Sequence, residues 1–140
     1  MVDTSELRIG NMLLYKKQVV TVKAFTSDFI VIATDEQVYC GIDDIQPIIL
    51  NDFLLSQLFS GNANIGWYFY TNALYKLEHQ NNGYGIVMDF CGNSLHTTPK
   101  SIISFHELEN TVFFMFDLAL DKARKKMSRT IELAFNMDKY

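Results

Sequence analysis

Residues 12–42 read MLLYKKQVVTVKAFTSDFIVIATDEQVYCGI, and this stretch decides the fold. Four runs in it, Met12 to Lys16, Val19 to Ala24, Phe29 to Ala33 and Gln37 to Ile42, are rich in Val, Ile, Tyr or Phe, the composition of strands. The breaks Lys16-Lys17-Gln18, Thr26-Ser27-Asp28 and Thr34-Asp35-Glu36 are polar and short, which makes neighbouring strands antiparallel. The segment is therefore a meander. Curling it into a small barrel would remove its exposed edges.

Beyond the meander, Pro47 is a stop, and Asn51-Asp52 supplies an N-cap and a first-turn acid for a short helix carrying Phe53, Leu54, Leu55, Leu58 and Phe59. Gly61 is its expected end. Small and turn-forming residues cluster at Gly61-Asn62-Ala63-Asn64-Ile65-Gly66, which predicts a boundary between lobes at 1–60 and 61–140 that together form one compact unit. Three strands follow at Trp67 to Thr71, Leu74 to Gln80 and Tyr84 to Phe90, with Asn82-Gly83 as a type I′ hairpin turn.

Ser104 and Glu107 have the spacing of a capping box, and Ile103 with Leu108 that of a hydrophobic staple. Phe105, Leu108, Val112, Met115 and Ala119 then recur at helical spacing, flanked by Phe113, Phe114 and Phe116, so most of this helix is expected to be buried against the second sheet. A further helix, or an extension, carries Ala123, Met127, Ile131, Ala134 and Met137 on one stripe. The expected class is α+β: an N-terminal antiparallel β-meander, small and barrel-like, then a three-stranded antiparallel sheet packed on a long C-terminal helix or helix pair.

The composition, 49% hydrophobic and 14% aromatic over 140 residues, excludes a disordered chain. No apolar run approaches the ~18 residues of a membrane span, and the polar, acidic opening lacks a signal core, so a cytoplasmic protein is expected. Cys40 and Cys91 form no C-x-x-C pair and read as small strand residues. The net charge of −4 is unevenly spread: residues 1–120 hold six basic and thirteen acidic groups, residues 121–140 six basic and three acidic. An acidic body carries a basic tail.

Chemistry is hard to find at sequence level. His79, His96 and His106 each lack a His or Cys neighbour at zinc-site spacing, and the paired acids Asp35-Glu36 and Asp43-Asp44 read as solvated turns. No phosphate loop, nucleophile elbow or metalloprotease motif is present. No catalytic residue, cofactor or metal is therefore expected. The run Trp67-Tyr68-Phe69-Tyr70, with Tyr75 and Tyr84, offers faces for base stacking, but its alternation fits a core sheet better.

The opening Ser5-Glu6-Leu7-Arg8-Ile9-Gly10-Asn11, then Ile45-Gln46-Pro47-Ile48 and a Leu-rich helix, resembles a family of small uncharacterised proteins of bacteria and their phages or prophages. Those proteins carry "ELRIGN", "PIPLTEEWL" and a closing "VHQLQNLYFALTG", of which residues 104–114 look like a diverged copy. The chain departs in having Phe53-Leu54 where the family has Trp, and in its basic tail. The resemblance implies a mobile-element setting, no catalytic residues, a turn at Gly10-Asn11, and Leu7 and Ile9 plugging the open end of the meander.

The leading functional expectation is a non-enzymatic protein-binding module, accessory or inhibitory, of phage derivation and acting on a host or defence complex. The first alternative is a small-barrel nucleic-acid-binding protein, and the second a small-molecule enzyme with a pocket between lobes. The partner-binding candidates are Lys122, Arg124, Lys125, Lys126 and Arg129, four of which recur three or four residues apart on one face of the last helix. The competing interpretation is a solvated face.

Overall fold

The computed structural model describes residues 4–26, 28–33, 37–68, 75–90, 93–96, 100–116 and 120–137. Ser27, the turn at 34–36, Phe69 to Leu74, Cys91 and Asp117 to Ala119 lie outside the described residues, as does the side chain of His96. The elements are β1 (Met12–Tyr15), β2 (Gln18–Phe25), β3 (Phe29–Ala33), β4 (Gln37–Gly41), β5 (Ile45–Gln46), α1 (Asp52–Leu58), β6 (Ser60–Asn62), β7 (Gly66–Tyr68), β8 (Tyr75–Gln80), β9 (Gly83–Phe90), β10 (Asn93–His96), α2 (Phe105–Phe116) and α3 (Asp121–Met137). The class is α+β with the expected barrel-like meander.

The chain divides into two units, Met1–Ile49 with Ser104–Tyr140, and Leu50–Ile103. The division expected at residue 60 is corrected: the stretch from Gly61 to Gly66 is the β6–β7 hairpin inside the second unit. Asn62 Oδ1 accepts from the Asn64 and Ile65 amides at 2.9 and 3.1 Å, and a Cβ on Gly61 would meet Gly66 O at 2.0 Å. Turn-forming residues signal a change of direction, and a tight hairpin uses the same ones as a linker.

In the first unit the sheet runs β4-β3-β2-β1-β5, all antiparallel and nearly closed. Alternation in the strands sends Leu13, Val20, Val22, Ile30, Ile32, Cys40 and Ile45 inward with Leu7, all buried. Each large aliphatic group so buried contributes about 1.5–3 kcal/mol. Burial raises the pKa of the Cys40 thiol, which makes it a packing residue rather than a nucleophile. At the β1–β2 turn Lys16 and Lys17 both have positive φ, 49° and 64°, the two-residue I′ geometry, so the turn is shorter than the expected three residues.

Both C-terminal helices belong to this unit, α2 against β1 and α3 against β2, and not to the second sheet as expected. Apolar spacing shows that a helix has a face to bury, and is silent on which sheet receives it. Phe105, Leu108 and Val112 are fully buried as expected, whereas Met115 and Phe113 are each 43% exposed and Phe114 is 90% exposed. Ile103, expected to staple the helix start, is 42% exposed; the start is held by the bridge Ile49–Ser104 and by Phe105 N–H donating to Ile48 O at 2.8 Å. Ala123, Met127, Thr130 and Ile131 are the buried face of α3, and Leu120, just before the helix, is buried as well.

The second unit holds α1 and a five-stranded antiparallel sheet, β10-β9-β8-β7-β6, larger than the three strands expected because two short segments also pair. The Asn51 side chain caps α1 as expected, accepting from Leu54 N–H at 2.8 Å. The β8–β9 hairpin turns on Asn81-Asn82, one residue earlier than expected, with Asn81 at φ 50°. Gly83 is a strand residue there: a Cβ would meet Ile102 O at 2.5 Å where that backbone bridges Tyr84.

Candidate functional site

In the first unit the segment from Glu6 to Asn11 is locked onto α2 by side-chain amides. Asn11, fully buried, accepts from Arg8 N–H at 2.7 Å and donates Nδ2 to Asn110 Oδ1 at 2.8 Å. Asn110 Nδ2 donates to Glu6 O at 2.6 Å and to Asn11 Oδ1 at 3.1 Å. Gly10, at φ +97°, lets its N–H reach Val22 O at 2.8 Å. Leu7 fills the core as expected, and Ile9 does not: it is 64% exposed.

Along α2 this segment presents Arg8, whose guanidinium lies 3.9 Å from the centre of the Phe113 ring. The exposed Ile9, Phe113, Phe114 and Met115 thus belong to one unit, on the N-terminal segment and the last turns of α2. Nothing in the sequence distinguished them from buried residues, because the helix is apolar around most of its girth.

Of the five basic candidates, Lys122, Lys125, Lys126 and Arg129 are exposed on α3. Arg124 is not part of that face. Its guanidinium donates to Glu109, a carboxylate only 5% exposed that also accepts from Met12 N–H at 3.1 Å. Burial pushes the Glu109 pKa up, and Arg124 and the Met12 amide oppose that rise. Arg124 is therefore a structural partner that fastens α3 to α2 and β1.

The second unit brings His79 together with an acid that sequence spacing did not pair with it. His79 Nε2 lies 2.9 Å from Asp52 Oδ1, and the Tyr84 hydroxyl donates to the same oxygen at 2.8 Å. Trp67 stands edge-on to both rings, at 5.7 and 5.8 Å between centroids. Burial, then the Asp52 carboxylate, push the phenol pKa above its ordinary value, so the hydroxyl is a fixed donor. Two ring donors on one carboxylate clamp the first turn of α1 to β8 and β9. Trp67 and Tyr84 are buried, as the core interpretation of the aromatic run expected, and offer no face to a base.

Comparison with protein-family models, curated proteins and solved structures finds no match. Among the described residues no helix is long and apolar enough to cross a membrane.

Proposed function

We propose that the protein is a non-enzymatic protein-binding module, an accessory or inhibitory factor of phage derivation acting on a host or defence complex. The contact surface is the end of α2 with the segment packed along it. The observation that carries this reading is Phe114, 90% exposed beside the half-exposed Phe113 and Met115 in a unit that otherwise buries its helix seams. Exposed contiguous apolar surface is costly in water, and aromatic and Arg side chains are the groups that anchor protein interfaces. Arg8, stacked on Phe113, supplies the charged rim such a surface uses.

The test is a capture experiment from host lysate at low salt, with wild type and Phe113→Ser/Phe114→Ser compared by quantitative mass spectrometry, and a photo-crosslinking residue at position 114 to mark the contact. The expected result is a stoichiometric partner that crosslinks at 114 and is lost in the double variant. Recovery of no stoichiometric partner, or equal recovery by both proteins, refutes the reading. A second reading, nucleic-acid binding, is favoured by the exposed Lys122, Lys125, Lys126 and Arg129 face and opposed by the acidic remainder of the chain.

A further inference from the structure

Glu6 and His106 stand a hundred residues apart in the chain, and the fold brings them together. The short 3₁₀ turn Thr4–Glu6 meets the start of α2, where Glu6, His106 and Glu107 each offer one ligand atom within 4.8 Å of the other two. Two carboxylates near each other are common and prove nothing. The imidazole beside them is the informative group.

His106 is only 3% exposed. Its Nδ1 lies 3.1 Å from the hydroxyl of Ser104, itself 1% exposed, while Nε2 is buried with no hydrogen-bond partner. A proton on Nδ1, donated to the serine oxygen, leaves the Nε2 lone pair bare. Buried polar atoms are nearly always satisfied, so an orphan of this kind calls for a missing partner. A ring nitrogen whose opposite N–H is held by a protein oxygen is also the usual arrangement of a metal-ligating histidine.

A cation is a partner that the His106 imidazole and the neighbouring Glu6 and Glu107 carboxylates can all accept.

We propose that Glu6, His106 and Glu107 form a three-ligand site for a divalent transition cation, best matched by Zn²⁺. One imidazole nitrogen and two carboxylate oxygens suit that ion, whose bonds of about 2.0–2.2 Å place tetrahedral ligands roughly 3.4 Å apart. Small rotations of the two glutamate side chains close the difference from the 4.8 Å limit. Water takes the fourth position. The ion staples the N-terminal turn to α2, beside the Asn110 bond to Glu6 O.

The experiment uses the full chain, treated with chelator and desalted, then titrated with ZnCl₂ by calorimetry and with Co²⁺ by visible absorption. One site per chain is expected, with a Co²⁺ d–d band and a melting temperature raised by about 5–10 °C when zinc exceeds its dissociation constant a hundredfold. Glu6→Gln and Glu107→Gln should each weaken binding at least tenfold, and His106→Asn should abolish it, while His79→Asn leaves it unchanged. Because His106 is buried, Glu6→Gln serves as the decisive variant if His106→Asn does not fold. No heat and no thermal shift at millimolar zinc overturns the proposal. So does zinc binding that survives Glu6→Gln and Glu107→Gln undiminished, or an equal response to Mg²⁺, which a nitrogen-containing site should not give.

Discussion

Replacing Asn110 with Ala tests the lock between the N-terminal segment and α2. The substitution deletes the acceptor of Asn11 Nδ2 and the donor that reaches Glu6 O and Asn11 Oδ1. Asn11 has no exposure through which water could replace these bonds, and its Oδ1 keeps only the Arg8 amide. One stranded amide donor costs about 1–3 kcal/mol, and the bond lost at Glu6 O adds about 1, so the first unit should lose about 2–4 kcal/mol. The single tryptophan, Trp67, belongs to the second unit, and its fluorescence would not report this change. Far-UV circular dichroism does, since α2 and α3 contribute 12 and 17 helical residues to the first unit and α1 only 7 to the second. Urea unfolding followed at 222 nm should show a lower midpoint at constant slope. Amide exchange at Arg8 and Gly10 should accelerate roughly 30- to 900-fold. Asn110→Asp should cost more, because its second oxygen would face Asn11 Oδ1 and Glu6 O, two acceptors. A loss under 0.5 kcal/mol for Asn110→Ala, with exchange at Arg8 unchanged, would show that the amide pair does not hold the segment.

Other perturbations probe the remaining elements. Lys17→Gly removes a left-handed conformation forced on a side chain and forfeits only a 5.6 Å contact with Phe135, so it should stabilise the first unit by about 1 kcal/mol; a lower urea midpoint would refute the strain argument. Tyr84 has a folded-state pKa above its ordinary 10, so its contribution is present below pH 10 and is lost as pH rises above that value; absorbance at 295 nm should show one late-titrating phenol of the seven, absent in Tyr84→Phe. Reversing Lys122, Lys125, Lys126 and Arg129 together to Glu should leave the fold intact, because none is buried. A steep, salt-dependent loss of nucleic-acid affinity would establish the second functional reading, a shift toward monomer in sedimentation would place a second copy there, and no change in either leaves a solvated face.

Local physics was legible in the sequence because it is written in neighbouring residues. Strand-rich runs broken by short polar turns in residues 12–42 determined the antiparallel meander, Asn51 determined the start of α1, and the four-residue spacing of Ala123, Met127 and Ile131 determined the buried stripe of α3. What it left open depends on groups far apart in the chain. A run such as Val112-Phe113-Phe114-Met115 is apolar on every side, so periodicity has no phase there, and only packing against β1 decided that Val112 is covered and Phe114 is not. The same holds for Arg124, which shares a charged run with four solvated neighbours and is withdrawn from it by a carboxylate fifteen residues earlier. Asp52 with His79, Asn11 with Asn110, and Glu6 with His106 are pairings between elements distant in sequence, and side-chain spacing along a strand or helix carries no information about them. Helices and hairpins follow from local propensity; the meeting of distant polar groups follows from which sheet each helix covers, and that is settled only when the whole core is assembled.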